Sequence, residues 1–318
     1  MALPVARFLK EESELGVDFL CTARLAPLVE MSPWVDRVYG LKGRNLPFLL
    51  SAEKRNLARK LAGNRYHRAV LMESAPGFLS FLERSAIPYI QSFISFPFES
   101  NVHSTVNNLR LAGANIKIPE PRSVDLNLPE SNNQDVLQFL EGLPAPIIGL
   151  HPGYGPPHRK ATSSKKNRGW PPKSFISLGQ ALQNLGASIV LTGSSEDGPD
   201  CQRLARALDR SRTRVLAGQT TLPQLAGLIR RLQLFVSVDS GPAHLCAAVA
   251  TPLIVLWGPG KWIQTRPISN GGEVVLLRKE LPCSPCYDTP AMKTCLKNIC
   301  MEFIGAGEVL SHCKRVLG

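Results

Sequence analysis

No uninterrupted apolar run in these 318 residues reaches the ~18–20 that a bilayer-crossing helix requires. The start, Met1-Ala2-Leu3-Pro4-Val5-Ala6-Arg7, lacks the basic opening and long apolar core of an export signal, so a cytoplasmic location is expected. Aromatic residues amount to 7%, too few for the stacking platforms that hold single-stranded nucleic acid. No helix-turn-helix, zinc-finger or RNA-recognition signature occurs either, and nucleic acid is not an expected partner. Also missing are the Gly-x-Ser-x-Gly elbow, the Walker loop, His-Glu-x-x-His and the dinucleotide fingerprint. Their absence disfavours serine hydrolases, P-loop NTPases, zinc proteases and common dehydrogenases. Acidic residues are outnumbered: 25 Asp plus Glu stand against 37 Lys plus Arg, a net charge of +12. That balance favours anionic partners such as nucleotide phosphates, phosphorylated substrates or an anionic lipid surface.

What the chain does have is a regular alternation of strand-like and helix-like segments, clearest in its second half. Strands are predicted over 146–150, 188–192, 214–217, 234–238 and 253–257, with helices over 174–185, 201–208, 222–232 and 241–250. Near-continuous apolar strands separated by amphipathic helices specify an α/β fold with a parallel sheet covered on both faces. The first half reads less cleanly: helices over 4–12, 25–31, 49–61 and 105–112, strands over 17–22, 35–41 and 69–72. Residues 118–129 are extended and proline-marked, and the expected domains are 1–143 and 144–318. A final helix is expected over 307–317, after a cysteine-rich segment, 282–300.

The candidate chemistry sits at strand ends. Asp239-Ser240-Gly241-Pro242-Ala243-His244 follows one predicted strand and opens a helix. There Gly241 lets the backbone approach a phosphate, Ser240 can cap the helix, and the helix start favours an anion. An ordinary N-capped crossover carrying a helix histidine explains the same residues. His151-Pro152-Gly153 leads into a loop, 151–170, that holds Arg159, Lys160, Lys165, Lys166 and Arg168 and no acidic residue. Such a loop suits a diphosphate, although most charge runs are simply solvated. Gly193, in Thr192-Gly193-Ser194, can contact a ribose or form a plain turn, and Lys261, in Gly258-Pro259-Gly260-Lys261, can reach an anion in the same crevice. Cys283, Cys286, Cys295 and Cys300 are compatible with zinc, but the second pair lacks Cys-x-x-Cys spacing. Unliganded thiols are the favoured reading, and no cofactor is expected.

Taken together, His-Pro-Gly after a strand, a basic loop ending in Trp-Pro, a Gly-Ser turn, Asp-Ser-Gly-Pro-x-His and Leu-Trp-Gly-Pro closely resemble glycosyltransferase family 9. These are the lipopolysaccharide heptosyltransferases. The Pro-Cys-Ser-Pro-Cys segment, Leu25-Ala26-Pro27-Leu28 and Val35-Asp36-Arg37-Val38 add to the likeness. The resemblance implies a GT-B fold, two Rossmann-like domains with parallel sheets facing across a cleft. It implies an ADP-heptose-like donor, a lipid A–core acceptor, inversion at the sugar and peripheral contact with the inner membrane. Carried over by motif, Asp239, Ser240, Gly241 and His244 would line the donor site, with Arg168 where the family often has a lysine. One departure stands out. The family's opening strand, Gly-rich loop and catalytic aspartate have no match here, because the sequence starts inside the helix that follows them. Met1 is then expected to be an internal methionine of a longer chain. The alternatives are a truncated, inactive member that binds a nucleotide sugar, and a related transferase with a different donor.

Overall fold

The computed structural model describes residues 1–12, 16–43, 46–73, 76–115, 123–124, 126–128, 132–153 and 168–318. The chain divides into two units, Met1–Asn127 and Leu128–Gly318. Among the described residues no helix is long and apolar enough to cross a membrane.

Unit 1 contains α1 (Leu3–Glu12), β1 (Asp18–Thr22), α2 (Ala26–Val29), β2 (Arg37–Leu41), α3 (Ala52–Gly63), β3 (Arg68–Leu71), α4 (Pro76–Glu83), β4 (Tyr89–Ser92) and α5 (Ser104–Leu111). β1 pairs in parallel with β2, and β3 in parallel with β4, as two separate two-stranded sheets. The helix expected over 25–31 is a 3-10 turn, Ala23–Leu25, followed by the single turn of α2. α3 starts later than its apolar pattern suggests because the Ser51 hydroxyl accepts a hydrogen bond from the Lys54 N–H and caps it there. Leu49 and Leu50 are consequently left outside the helix and exposed. α4 and β4 are elements that the sequence pattern did not predict.

Unit 2 contains α6 (Asn132–Leu140), β5 (Ile147–His151), α7 (Pro172–Asn184), β6 (Ser188–Leu191), α8 (Gly198–Ala205), β7 (Thr213–Val215), α9 (Leu222–Arg230), β8 (Leu234–Val238), α10 (Gly241–Ala248), β9 (Leu253–Trp257), α11 (Trp262–Thr265), β10 (Val274–Arg278), α12 (Pro290–Thr294), α13 (Ile299–Glu302) and α14 (Ala306–Leu317). Its six strands run in the order β10-β9-β8-β5-β6-β7, every pair parallel. This is the doubly wound Rossmann order. β5, β6, β8 and β9 are buried along their whole length, as strands covered on both faces must be. One face packs Ile148, Leu150, Val236 and Ile254 with Phe175 and Leu178 of α7 and Val309 of α14.

The division of the chain falls at 127/128, ahead of the 143/144 read from the sequence, and the reason is α6. Its Val136 is fully buried, its Asp135 accepts a hydrogen bond from Gln224 of α9 at 2.9 Å, and the carbonyl of nearby Glu141 accepts one from Arg214. The helix therefore packs as part of unit 2.

Candidate functional site

In the sheet of unit 2 the chain turns one way from β5 and the other way from β8, and these two strands are neighbours. Where the strand order reverses, the crossovers diverge and leave a crevice beyond the strand ends. The residues delivered there are His151-Pro152-Gly153 from β5 and Asp239-Ser240-Gly241 from β8.

Asp239 is largely buried, its side chain 14% exposed. Burial raises its pKa above the ordinary carboxylate value, and the nearby Arg168 guanidinium acts in the opposite direction. Nη1 of Arg168 lies 3.8 Å from Asp239 Oδ2, an ion pair too long for a hydrogen bond. The guanidinium plane stacks 4.2 Å from the ring centre of Tyr287. Arg168 is in turn held through its neighbours. Gly169 accepts a hydrogen bond from Asn298, and the Trp170 indole donates to the Ile304 carbonyl at 2.8 Å. The backbone N–H groups of Cys286 and Tyr287 bond to the Pro259 carbonyl. The cysteine-rich segment thus ties the Arg168 turn to the loop after β9.

Ser240 stands at the N-cap of α10 but makes no side-chain cap; its hydroxyl pairs with Ser237 Oγ at 2.9 Å. The capping expected for it is corrected on this point. The first N–H groups of a helix find no partner within it, and Pro242 removes one of those of α10. Gly241 faces open space: a Cβ there would meet nothing within 4 Å. His244 lies half-buried in the same first turn. An anion approaching here meets the positive end of the helix and the Arg168 fork.

His151, Gly153 and Gly193 are closely surrounded at the ends of β5 and β6. His151 is 5% exposed, and its Nδ1 is 3.0 Å from Thr192 Oγ1. Burial lowers its pKa to about 4, with Asp197 acting the other way, so the ring is neutral at pH 7. Asp197 accepts from the Ser194 N–H at 2.7 Å and from its hydroxyl at 2.6 Å. A Cβ on Gly153 would sit 2.5 Å from Asp197 Cγ, and one on Gly193 2.7 Å from Asp197 Cβ. Both glycines are small because that carboxylate is there. Lys261 is exposed beside Gly260, whose own Cβ would lie 2.6 Å from Asp239 Oδ2.

Arg159, Lys160, Lys165 and Lys166 lie outside the described residues. Among the described residues no group of three or more His, Cys, Asp or Glu is placed to hold a metal ion. Cys283 is exposed, Cys286 and Cys295 half-buried, and Cys300 buried. Burial, reinforced by the neighbouring thiols, raises Cys300 to about 11. The site residue that sequence reasoning missed is Tyr287. It sits in a segment read only for its thiols.

Residues 55–297 match the model of glycosyltransferase family 9 (heptosyltransferase). The chain is 42% identical over 103 residues to lipopolysaccharide heptosyltransferase 3 of Escherichia coli, covering 32% of this chain and 30% of that protein. It is 26% identical over 296 residues to lipopolysaccharide heptosyltransferase 2 of Escherichia coli K12, covering 82% of this chain and 79% of the relative. Its fold matches the structure of Escherichia coli ADP-heptose lps heptosyltransferase II with a TM-score of 0.75 at 20% identity, over 99% of this chain and 94% of that one.

Proposed function

The chain belongs to glycosyltransferase family 9, and from that membership we propose that it moves a heptose from an ADP-heptose-like donor to the lipopolysaccharide inner core, inverting the sugar carbon. The observation that carries this reading is the pairing of Arg168 with the open start of α10 at the strand-order reversal of unit 2. As the bond between the sugar and the diphosphate breaks, negative charge accumulates on the departing phosphate oxygens. Donors fixed in advance around that position stabilise the transition state more than the ground state. The backbone N–H groups at the start of α10 supply such donors, and the Arg168 fork supplies charge. Asp239 orients Arg168 and offers an acceptor for a sugar hydroxyl. The acceptor hydroxyl attacks from the opposite face and gives its proton to a general base; the aspartate that the family resemblance implies for that role has no match among these residues.

The same assignment makes the phosphorylated acceptor and the anionic inner face of the inner membrane natural partners for a chain of net charge +12. The test has two parts: calorimetric titration with ADP, and transfer from ADP-heptose to a lipopolysaccharide core lacking that heptose. Binding with transfer is the expected result. ADP binding without transfer would favour a nucleotide-sugar-binding protein. No ADP binding would remove the donor-site assignment.

A further inference from the structure

Cys283, Cys286, Cys295 and Cys300 all fall between β10 and α14, and no cysteine of the chain is in a disulfide. Two of these thiols attach to the supports of Arg168. The first support is Tyr287, whose ring lies 4.2 Å from the guanidinium. Its N–H and that of Cys286 share the Pro259 carbonyl, at 3.0 and 3.1 Å. The second support is Asn298. Its amide donates to the Gly169 carbonyl at 2.9 Å, next to Arg168, while its Oδ1 accepts from the Cys300 thiol at 3.2 Å. Both supports meet the loop after β9. Ser284 Oγ donates to the Gly258 carbonyl at 3.1 Å, and a Cβ on Gly258 would lie 3.3 Å from Cys300 Sγ.

The thiols differ in access, and so in chemistry. Cys283 is exposed, Cys286 and Cys295 half-buried, and Cys300 buried. A thiolate is the nucleophile in thiol exchange. Cys300, raised to about 11 by burial and bonded to Asn298, stays protonated at pH 7. The Cys295 thiol donates to the Lys297 carbonyl in its own turn. Cys283 and Cys286 form a Cys-x-x-Cys pair, and the chain bends sharply at Pro285 between them. The pair is close enough to interact: Cys286 is raised first by burial and next by Cys283. No group of three or more metal-ligating side chains is assembled among the described residues. One exposed thiol with a second behind it is the arrangement for disulfide exchange, and Cys-x-x-Cys beside a βα fold reads as a redox pair.

We propose that Cys283 and Cys286 are a thiol-oxidation site that controls the donor site: their disulfide draws Tyr287 off Arg168 and weakens binding of the nucleotide diphosphate. The control rests on the donor-site reading given above; the oxidation site does not. The oxidant is a low-molecular-weight disulfide, RSSR, of the glutathione kind. The Cys283 thiolate attacks one sulfur of RSSR, the S–S bond of the oxidant breaks, and one RS⁻ leaves a mixed disulfide behind. The Cys286 thiolate then attacks Cys283 Sγ and expels the second RS⁻. Two thiols become one disulfide, RSSR takes up the two electrons, and both protons end on the released RSH. The new bond requires the two Cβ atoms to stand about 3.5–4.5 Å apart with a C–S–S–C dihedral of about 90°. Cys286 must therefore turn toward Cys283 within four residues. Its N–H and that of Tyr287 hang on one carbonyl, so the turn carries Tyr287 with it. Arg168 keeps Asp239 and loses the ring, a cation–π contact whose removal weakens ADP binding about three- to tenfold.

The experiment takes the 318-residue chain, reduces it with dithiothreitol and then exposes it to millimolar oxidised glutathione. Peptide mapping should find a Cys283–Cys286 disulfide, with Cys300 still a thiol. Hydrogen exchange at the Cys286 and Tyr287 amides should quicken about tenfold or more on oxidation, as their shared acceptor is lost. Calorimetric titration should show ADP bound about three- to tenfold more weakly, and dithiothreitol should restore the reduced value. Cys283→Ser, a change at an exposed side chain, should bind ADP as the reduced parent does and ignore the oxidant. The proposal is overturned if no Cys283–Cys286 disulfide forms, if it forms with exchange and ADP affinity unchanged, or if Cys283→Ser responds as the parent does. An equimolar metal ion on the purified chain, shielding these thiols from the oxidant, overturns it too. A reduced chain that binds no ADP overturns the donor-site reading instead, and mapping with amide exchange then decides the oxidation site by itself.

Discussion

Arg168 is where the chemistry and the electrostatics of the site meet. Its fork is braced by Tyr287 and by the Asp239 carboxylate, so it is held in place before any ligand arrives. A charge-assisted hydrogen bond is worth about 1.5–3 kcal/mol. Arg168→Ala should therefore weaken ADP binding about 10–100-fold in a calorimetric titration, while Arg168→Lys keeps the charge, loses the fork and falls between. Asp239 presents the opposite balance. Because burial raises its pKa in the folded state, the folded carboxyl holds its proton to higher pH than the unfolded one. Stability therefore falls as pH rises through that range, and the ionised group is a cost at pH 7. Asp239→Asn should melt at a higher temperature than the parent at pH 7 and bind an ADP-sugar more weakly. A variant that melts higher with unchanged ADP-sugar affinity would remove Asp239 from the site.

His151 carries the reverse sign. Its folded pKa, about 4, lies below the ordinary histidine value because the ring is buried. Between ~6.5 and that value the unfolded chain takes up a proton that the folded chain refuses, and stability drops as pH falls. At about 1.4 kcal/mol per unit the full effect is about 3 kcal/mol. Urea unfolding of the parent and of His151→Gln at pH 7, 5.5 and 4 should show the gap between them closing, or reversing, toward acid pH. A gap that does not change with pH would mean that His151 is not a buried neutral ring.

At the scale of elements, two of the three glycines of unit 2 read as ligand contacts, Gly193 and Gly241, separate by what surrounds them. A Cβ at Gly193 would enter Asp197, whereas one at Gly241 would enter empty space at the start of α10. Gly193→Ala should cost about 1–3 kcal/mol of stability by overpacking. Gly241→Ala should leave the melting temperature unchanged and weaken ADP binding, because its methyl stands where a phosphate would approach. If Gly241→Ala binds ADP as the parent does, the anion does not sit at this helix start.

The elements also show what the sequence could reveal. β8 and β9 fall on the residues predicted, Leu234–Val238 and Leu253–Trp257, because burial on both faces makes such strands unbroken apolar runs. β4 and β10 are edge strands with a single buried residue each, so burial on both faces does not mark them. The motif at Asp239 was legible because strand, turn and helix are consecutive in the chain. Its meeting with Tyr287 was not, since that contact depends on the segment after β10 folding back onto the loop after β9. The role of Ser240 was misjudged for a related reason: the hydroxyl has two partners within reach, and the choice of Ser237 is set by how β8 ends.

For the molecule as a whole, each unit has its own core, and the two are not built alike. Unit 2 has a continuous six-stranded sheet, with Ile148, Val236 and Ile254 fully buried in its centre. Unit 1 has two separate two-stranded sheets, a half-buried β1, and smaller apolar clusters. Hydrophobic stabilisation scales with the apolar area removed from water, so unit 1 should melt first and calorimetry should resolve two transitions. The proposed function puts ADP at the ends of β5 and β8, within unit 2. At 100 times its dissociation constant a ligand stabilises the state that binds it by about 2.7 kcal/mol. The upper transition should therefore move up with ADP while the lower one stays in place. If ADP raised the lower transition instead, the nucleotide site would lie in unit 1, and the donor site would have to be sought there.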